Sequence, residues 1–394
     1  MITPVPDYGH GCISNVIPAI ALALSNNRNG DGWPDETRLL EKMSTLPLTM
    51  DTSSRDWIPK VITEANQVVV LVIDGLGTNQ LATYAKDAPI LSSLSGTNVS
   101  SVAPTTTATA LTSIASGMSP LDHGILGYRM RLGNSQVFNS LLWSFPDSTK
   151  RPGLPTDAVR SGSSFMDLDV SVVCKAQYSK TGFTRAYLGD GKFHEFRHFS
   201  TMVSKVKALL NQGKPLVYTY YEGLDSVAHE YGLSEFYVGE LHFVEFLVAA
   251  LIEVLPRGAA LVITADHGQV EVPQAPIQID AHLEAMTVLK SGEGRFRWLH
   301  IRNGALNDAK EIADDLYGDV AWIMTKEETL ESGLFGKRRN NFEFENRLGD
   351  LALIARSDVA FHDEYDKGPL ELLCRHGSMT EAETKVPLIG YLAV

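Results

Sequence analysis

Three stretches of this sequence read as strands buried on both faces, and each runs into an aspartate. Gln67–Ile73 (QVVVLVI) has no polar residue after its first, the composition of a parallel strand covered by helices above and below. It ends in Asp74-Gly75-Leu76-Gly77. The run 214–221 (KPLVYTYY) repeats the pattern and leads into Glu222-Gly223-Leu224-Asp225, with His229 four residues further on. Residues 259–265 (AALVITA) lead into Asp266-His267-Gly268. In open α/β sheets ligands bind beyond the C-terminal strand ends. One aspartate there is as readily a helix cap. Three in one chain, two of them accompanied by histidine, point to a polar site on one edge of a sheet. Asp225 and His229 share a face if a helical turn follows their strand, and could hold one metal ion together. Asp266 and His267 can converge only from a loop.

The second constraint is Ser101–Ile125, a threonine cluster behind a proline. Pro104 disfavours helix before it, and Thr105 or Thr106 can cap. Ala108–Ser116 is small enough for a tightly packed helix, ended by Gly117. Thr107 then sits at the helix start, where backbone N–H groups and the helix dipole favour an alkoxide or a phosphate oxygen. An alkoxide at neutral pH also needs a metal or a base, and the strand-end Asp and His residues are candidates for both.

Size and charge narrow the alternatives. At 394 residues the chain is long enough for one large domain with an insertion, or for two domains. A net charge of −13 without a Lys/Arg stripe argues against a nucleic-acid-coating surface. Cys12, Cys174 and Cys374 lack paired spacing, so neither a disulfide framework nor a thiolate metal site is expected. No run reaches membrane-spanning length. Val16–Leu24, interrupted by Pro18 and preceded by Asp7 and His10, fits a packed helix better than a signal segment. The expectation is a soluble, cytoplasmic protein. The sequence further predicts strands at 170–174, 296–301 and 320–324, and helices at 200–212 and 307–316. Residues 270–340 carry no candidate ligand cluster and read as an inserted α+β cap. The remainder, 1–269 and 341–394, forms the catalytic core.

The order Asp74-Gly75, Pro104-Thr105-Thr106-Thr107, Gly117-x-x-Pro120-x-x-His123-Gly124-Ile125, Asp225-x-x-x-His229, Asp266-His267-Gly268 and His376-Gly377 resembles the alkaline phosphatase superfamily. It is most similar to the type I phosphodiesterase and nucleotide pyrophosphatase branch, over roughly residues 65–270 and the stretch around His376. The resemblance implies a doubly wound, mostly parallel α/β sheet flanked by helices. It implies two divalent metal ions, zinc, with manganese as the alternative. One would be held by Asp74, Asp266, His267 and the Thr107 oxygen, the other by Asp225, His229 and His376. It also implies a small phosphate ester or nucleotide as substrate, attacked by Thr107 through a phosphothreonine intermediate. At the position where this branch carries an asparagine donor stands Tyr128, followed by Arg129; these two are the candidate substrate-binding residues. Phosphomonoesterases, phosphonate hydrolases and phosphomutases share the same metal core, and a non-catalytic binding protein could keep the fold. A sulfatase would need Cys or Ser in place of Thr107. His194 and His198 lack an accompanying acid, and His123 reads as a loop-fixing hydrogen bonder.

Overall fold

The computed structural model describes residues 4–28, 32–133, 136–145, 154–162, 164–165, 168–189, 191–339, 341–366 and 371–394. The three apolar runs form strands Gln67–Ile73, Leu216–Tyr221 and Ala259–Thr264, parallel and adjacent with Gln67–Ile73 in the middle. Ile73 lies beside Tyr221 and Val72 beside Thr264, so the three C-terminal ends are level. The second strand begins at Leu216 rather than Lys214. Pro215 has no N–H for the ladder, although its carbonyl accepts from Val68 N at 2.8 Å.

These strands are the centre of a seven-stranded sheet. Across it the order is Ser95–Ser100, Lys385–Leu392, Ala259–Thr264, Gln67–Ile73, Leu216–Tyr221, Val170–Val173 and Lys192–Phe193. Lys385–Leu392 is antiparallel to both neighbours and every other pairing is parallel, which is the expected α/β class. From Val68 to Ile73 the central strand is wholly buried, so helices cover both faces. Val16–Asn27 is buried from Val16 through Ser25, with Pro18 in the first turn, where a backbone N–H has no helical partner. Thr107–Ser116 is buried along its whole length, as its small side chains allow, and Gly117 closes it with φ 75°. No helix among the described residues is long and apolar enough to cross a membrane.

A second, antiparallel sheet has the order Thr287–Glu293, Phe296–Ile301, Leu351–Ala355, Ala321–Thr325. Phe296–Ile301, helix Leu306–Tyr317 and Ala321–Thr325 follow the expected β-α-β order. However, Leu351–Ala355 inserts between the two strands, so this sheet extends past the boundary drawn at residue 340. Thr287–Glu293 was not anticipated, because its lysine, serine and glycine hide the alternation of a half-exposed strand.

Buried ion pairs fasten this sheet to the first. Arg295 makes a bidentate pair with Glu383 at 2.7 and 2.8 Å, both side chains fully buried, and Glu383 also accepts from Ser378 N at 2.9 Å. Arg129 and Arg297 share the carboxylates of Asp363 and Asp366. Breaking such a pair strands an uncompensated buried charge. Arg295→Ala should therefore lower unfolding free energy by about 3–5 kcal/mol, read as a shift of the urea midpoint.

Candidate active site

Asp74 follows the central strand, Asp225 lies in the first turn of helix Gly223–Tyr231, and Asp266 and His267 follow Ala259–Thr264. Because the strand ends are level, their loops converge. His376 comes from the C-terminal arm, just past Cys374–Arg375, which pairs with Val270–Glu271. Gly75, at φ +73°, makes the turn out of the central strand; a Cβ there would stand 2.5 Å from Gln269 Nε2 and 3.2 Å from Asp225 Cβ.

The ligand-type atoms gather in two groups, buried Asp74, Asp266 and His267, and partly exposed Asp225, His229 and His376. His267 Nε2 is 3.4 Å from Asp74 Oδ1, 3.4 Å from Asp266 Oδ2 and 3.2 Å from Thr107 Oγ1. In the second group Asp225 Oδ2 is 3.3 Å from His229 Nε2, and Asp225 Oδ1 is 3.8 Å from His376 Nε2. The rings of His267 and His376 stack at 3.6 Å and join the groups.

All three histidines are oriented the same way. Their Nδ1 atoms bond backbone carbonyls, His229 to Cys374 at 2.7 Å, His376 to Thr105 at 2.8 Å and His267 to Gly268 at 3.2 Å. A carbonyl can only accept, so Nδ1 carries the proton and the Nε2 lone pair faces the carboxylates. Each aspartate is likewise held by one oxygen. Tyr220 donates to Asp74 Oδ2, Gln269 donates to Asp225 Oδ1 at 2.7 Å, and the amides of Gly75 and His267 donate to Asp266 Oδ1 at 3.2 and 3.0 Å.

Asp74 Oδ1 and Asp266 Oδ2, the oxygens nearest His267 Nε2, are buried without a hydrogen-bond partner. Burial, then the charges of Asp266 and Asp225, push the Asp74 carboxyl well above the usual range, and burial raises Asp266 as well. Burial and the neighbouring His267 and His229 push the His376 imidazole well down. Orphaned carboxylate oxygens beside inward lone pairs are what a divalent cation satisfies, and the mixed oxygen and nitrogen donor set suits zinc or a similar ion.

Thr107 is the first residue of its helix and opens onto a cleft of about 670 Å³ shared with Asp225, His229 and His376. Thr106 occupies the cap position, but its hydroxyl does not cap. Thr105 instead ties this loop to the His376 loop: its Oγ1 donates to Ser378 O at 2.7 Å and accepts from Gly377 N at 3.0 Å. His123 is fully buried, bonding Ser113 Oγ at 2.9 Å and accepting from Ile125 N at 3.1 Å, so it fixes its loop and stays outside the ligand groups. His194 and His198 also lie outside them.

Tyr128 and Arg129 both line the cleft. Arg129 is only 3% exposed, and its Nη1 bonds Asp363 and Asp366 at 3.0 Å each, while Nε and Nη2 make no hydrogen bond. Further residues surround the same space. Arg375, adjacent to His376, lines the cleft with its Nε unbonded. Glu293 enters from the tip of the second sheet's hairpin. A charged residue flanked by glycines, Gly292-Glu293-Gly294, was the available signal for that tip. Nothing in sequence spacing identified Tyr220 or Gln269.

The family model for type I phosphodiesterase / nucleotide pyrophosphatase matches residues 68–379. The chain belongs to this family. It is thus a member of the alkaline phosphatase superfamily and of a family of phosphoester hydrolases. Among solved structures it is similar to murine ectonucleotide pyrophosphatase/phosphodiesterase 5, with 16% identity, TM-score 0.59, and coverage of 82% of this chain and 87% of the other. An inactive form of that murine protein in complex with AMP matches with 15% identity and TM-score 0.60, over 82% and 87% of the two chains. The phosphonoacetate hydrolase of Sinorhizobium meliloti, in complex with phosphonoformate, is 20% identical with TM-score 0.56, over 86% of this chain and 91% of its own. Comparison with curated proteins gives no significant match.

The orphaned carboxylates make a prediction about the metal-free protein. Asp74→Asn removes one of two buried acids whose carboxyls are both raised, chiefly by burial, while an amide oxygen can still accept from Tyr220. It should stabilise chelator-treated protein by about 1–2 kcal/mol and remove most of the stabilisation expected of wild type on adding zinc. Thermal melting with and without zinc checks both effects.

Proposed function

We propose that this chain hydrolyses phosphodiester or pyrophosphate bonds with Thr107 as nucleophile and two divalent ions as cofactors, zinc by donor set and manganese as the alternative. The observation that carries the reading is the position of Thr107 Oγ1, 3.2 Å from His267 Nε2 and at a helix N-terminus, on a cleft wall that also includes Asp225, His229 and His376. Asp74, Asp266 and His267 would hold one ion and Asp225, His229 and His376 the other; when bound, the ions supply charge neutralisation at the attacking and leaving oxygens. Thr107 Oγ1 loses its proton and forms a bond to phosphorus as the ester oxygen departs with its electron pair and takes up a proton. Water then attacks the phosphothreonine, releasing phosphate or its monoester and restoring the hydroxyl. The helix N-terminus favours the negative oxygens throughout.

The preference for a singly charged phosphoryl group rests on the cations near the cleft. A monoester carries close to two charges at neutral pH and calls for more cationic help than a diester. Arg129 is already paired with two aspartates, and Arg295 with Glu383. Arg375 is the arginine of the cleft wall that forms no ion pair among the described residues. Leu141, Leu142 and Phe145 offer an apolar wall for the second ester group. A small-molecule substrate fits a cleft of this size, and the three unpaired buried cysteines support a reducing, cytoplasmic setting.

Three measurements test this. Elemental analysis of protein purified without chelator should give two transition-metal ions per chain, with activity lost on chelation. Thr107→Ala should lower kcat by about a thousandfold or more while the fold persists, and Thr107→Ser should keep part of the activity. Near wild-type turnover in Thr107→Ala would reject the nucleophile. The nitrophenyl diester should be cleaved with higher kcat/KM than the monoester, in wild type and in Arg129→Ala alike. A monoester preference that collapses in Arg129→Ala would overturn the diester reading.

A further inference from the structure

The hairpin of strands Thr287–Glu293 and Phe296–Ile301 enters the catalytic cleft with Glu293, a residue the phosphoryl chemistry above does not use. Its carboxyl shares the cleft wall with Thr106, Thr107 and His376. The approach is close enough to dictate the facing residue. Gly377 has φ +120°, and a Cβ there would lie 2.6 Å from Glu293 Cδ and 3.0 Å from Oε2.

The hairpin does not supply Glu293 with a cation. Arg295 is taken by Glu383, and Arg297 by Asp363 and Asp366. Glu293 Oε1 is buried without a hydrogen-bond partner. A carboxyl placed beside Thr107, with an orphaned oxygen and no ion pair among the described residues, has room for a further partner.

We propose that Glu293 contacts the substrate, its carboxyl sharing a hydrogen bond with a non-bridging oxygen of the phosphoryl group held at Thr107. This rests on the phosphoryl-transfer reading of the cleft. Burial pushes the Glu293 carboxyl up to about 8, outweighing the hydrogen bond toward Thr106 and the attraction of Arg297. Asp366 and Glu383 act in the same direction as burial. Arg295 and Arg375 flank Gly294, and Asp225, His229 and His376 share the cleft wall, so these are the charges against which the contact operates. A neutral carboxyl can donate to an anionic oxygen; an ionised one would repel it.

The test is calorimetric binding of inorganic phosphate to zinc-loaded protein at pH 7 and pH 9, in wild type, Glu293→Gln and Glu293→Ala. The glutamine amide keeps a donor, shape and neutrality, so Glu293→Gln should bind within about threefold of wild type at pH 7. Glu293→Ala should bind about 10- to 100-fold more weakly, the effect of one hydrogen bond to a charged group. Between pH 7 and 9 wild type should lose affinity relative to Glu293→Gln, because only the carboxyl ionises. Glu293→Ala binding like wild type, Glu293→Gln binding as poorly as Glu293→Ala, a pH response common to wild type and Glu293→Gln, or a wild type that binds no phosphate would each overturn the proposal. Thr107→Ala separates it from the broader reading. If that variant keeps turnover while the Glu293 series behaves as expected, the nucleophile is wrong and the Glu293 contact stands.

Discussion

Two carboxylates excluded from water set the terms for this structure. Asp74 and Asp266 lie on the loops of neighbouring strands, each with one oxygen bound by the protein and one turned toward His267 without a partner. A pair of like charges in such a place is unfavourable by several kcal/mol unless it is protonated or neutralised by a cation. The surrounding features follow from that. Each histidine of the site has its Nδ1 proton fixed by a carbonyl, which turns Nε2 toward the carboxylates. The folded state thus gathers six side chains whose charge divalent cations would offset, and under the proposed function stability and chemistry are linked through them.

Much of this was legible in the sequence because it is written locally. A run such as QVVVLVI has few alternatives to a doubly covered strand, and an aspartate just beyond it must lie at a strand end. That reasoning placed Asp74, Asp225 and Asp266 near one edge, and the level register of Ile73 with Tyr221 and Val72 with Thr264 is what turns nearness into convergence. Thr107 was legible for the same reason, since the helix start, the small residues and Gly117 are all neighbours in the chain.

What was illegible depends on contacts across long sequence distances. The Thr287–Glu293 strand has mixed burial and little periodicity, and the strand Leu351–Ala355 joins its sheet only by inserting between Phe296–Ile301 and Ala321–Thr325. Arg129 shows the difficulty at a single residue. Its place beside Tyr128 marked it as near the substrate, and it does line the cleft, but its pairing with Asp363 and Asp366 more than two hundred residues away has no local trace. Glu293 falls under the same heading: only the paired hairpin brings it to Thr106 and Gly377.

The Arg295–Glu383 pair is wholly buried and bidentate, and it anchors the tip of that hairpin to the C-terminal arm, whose Glu383 carbonyl also receives the Gly268 amide at 2.9 Å. A hinged lid would have to expose both charges at every turnover. The hairpin is accordingly a fixed wall of the cleft. Replacement of Glu293 would change what this wall offers a ligand while the strand-end carboxylates stay as they are, so ligand choice and the proposed reaction fall on separate segments of the chain.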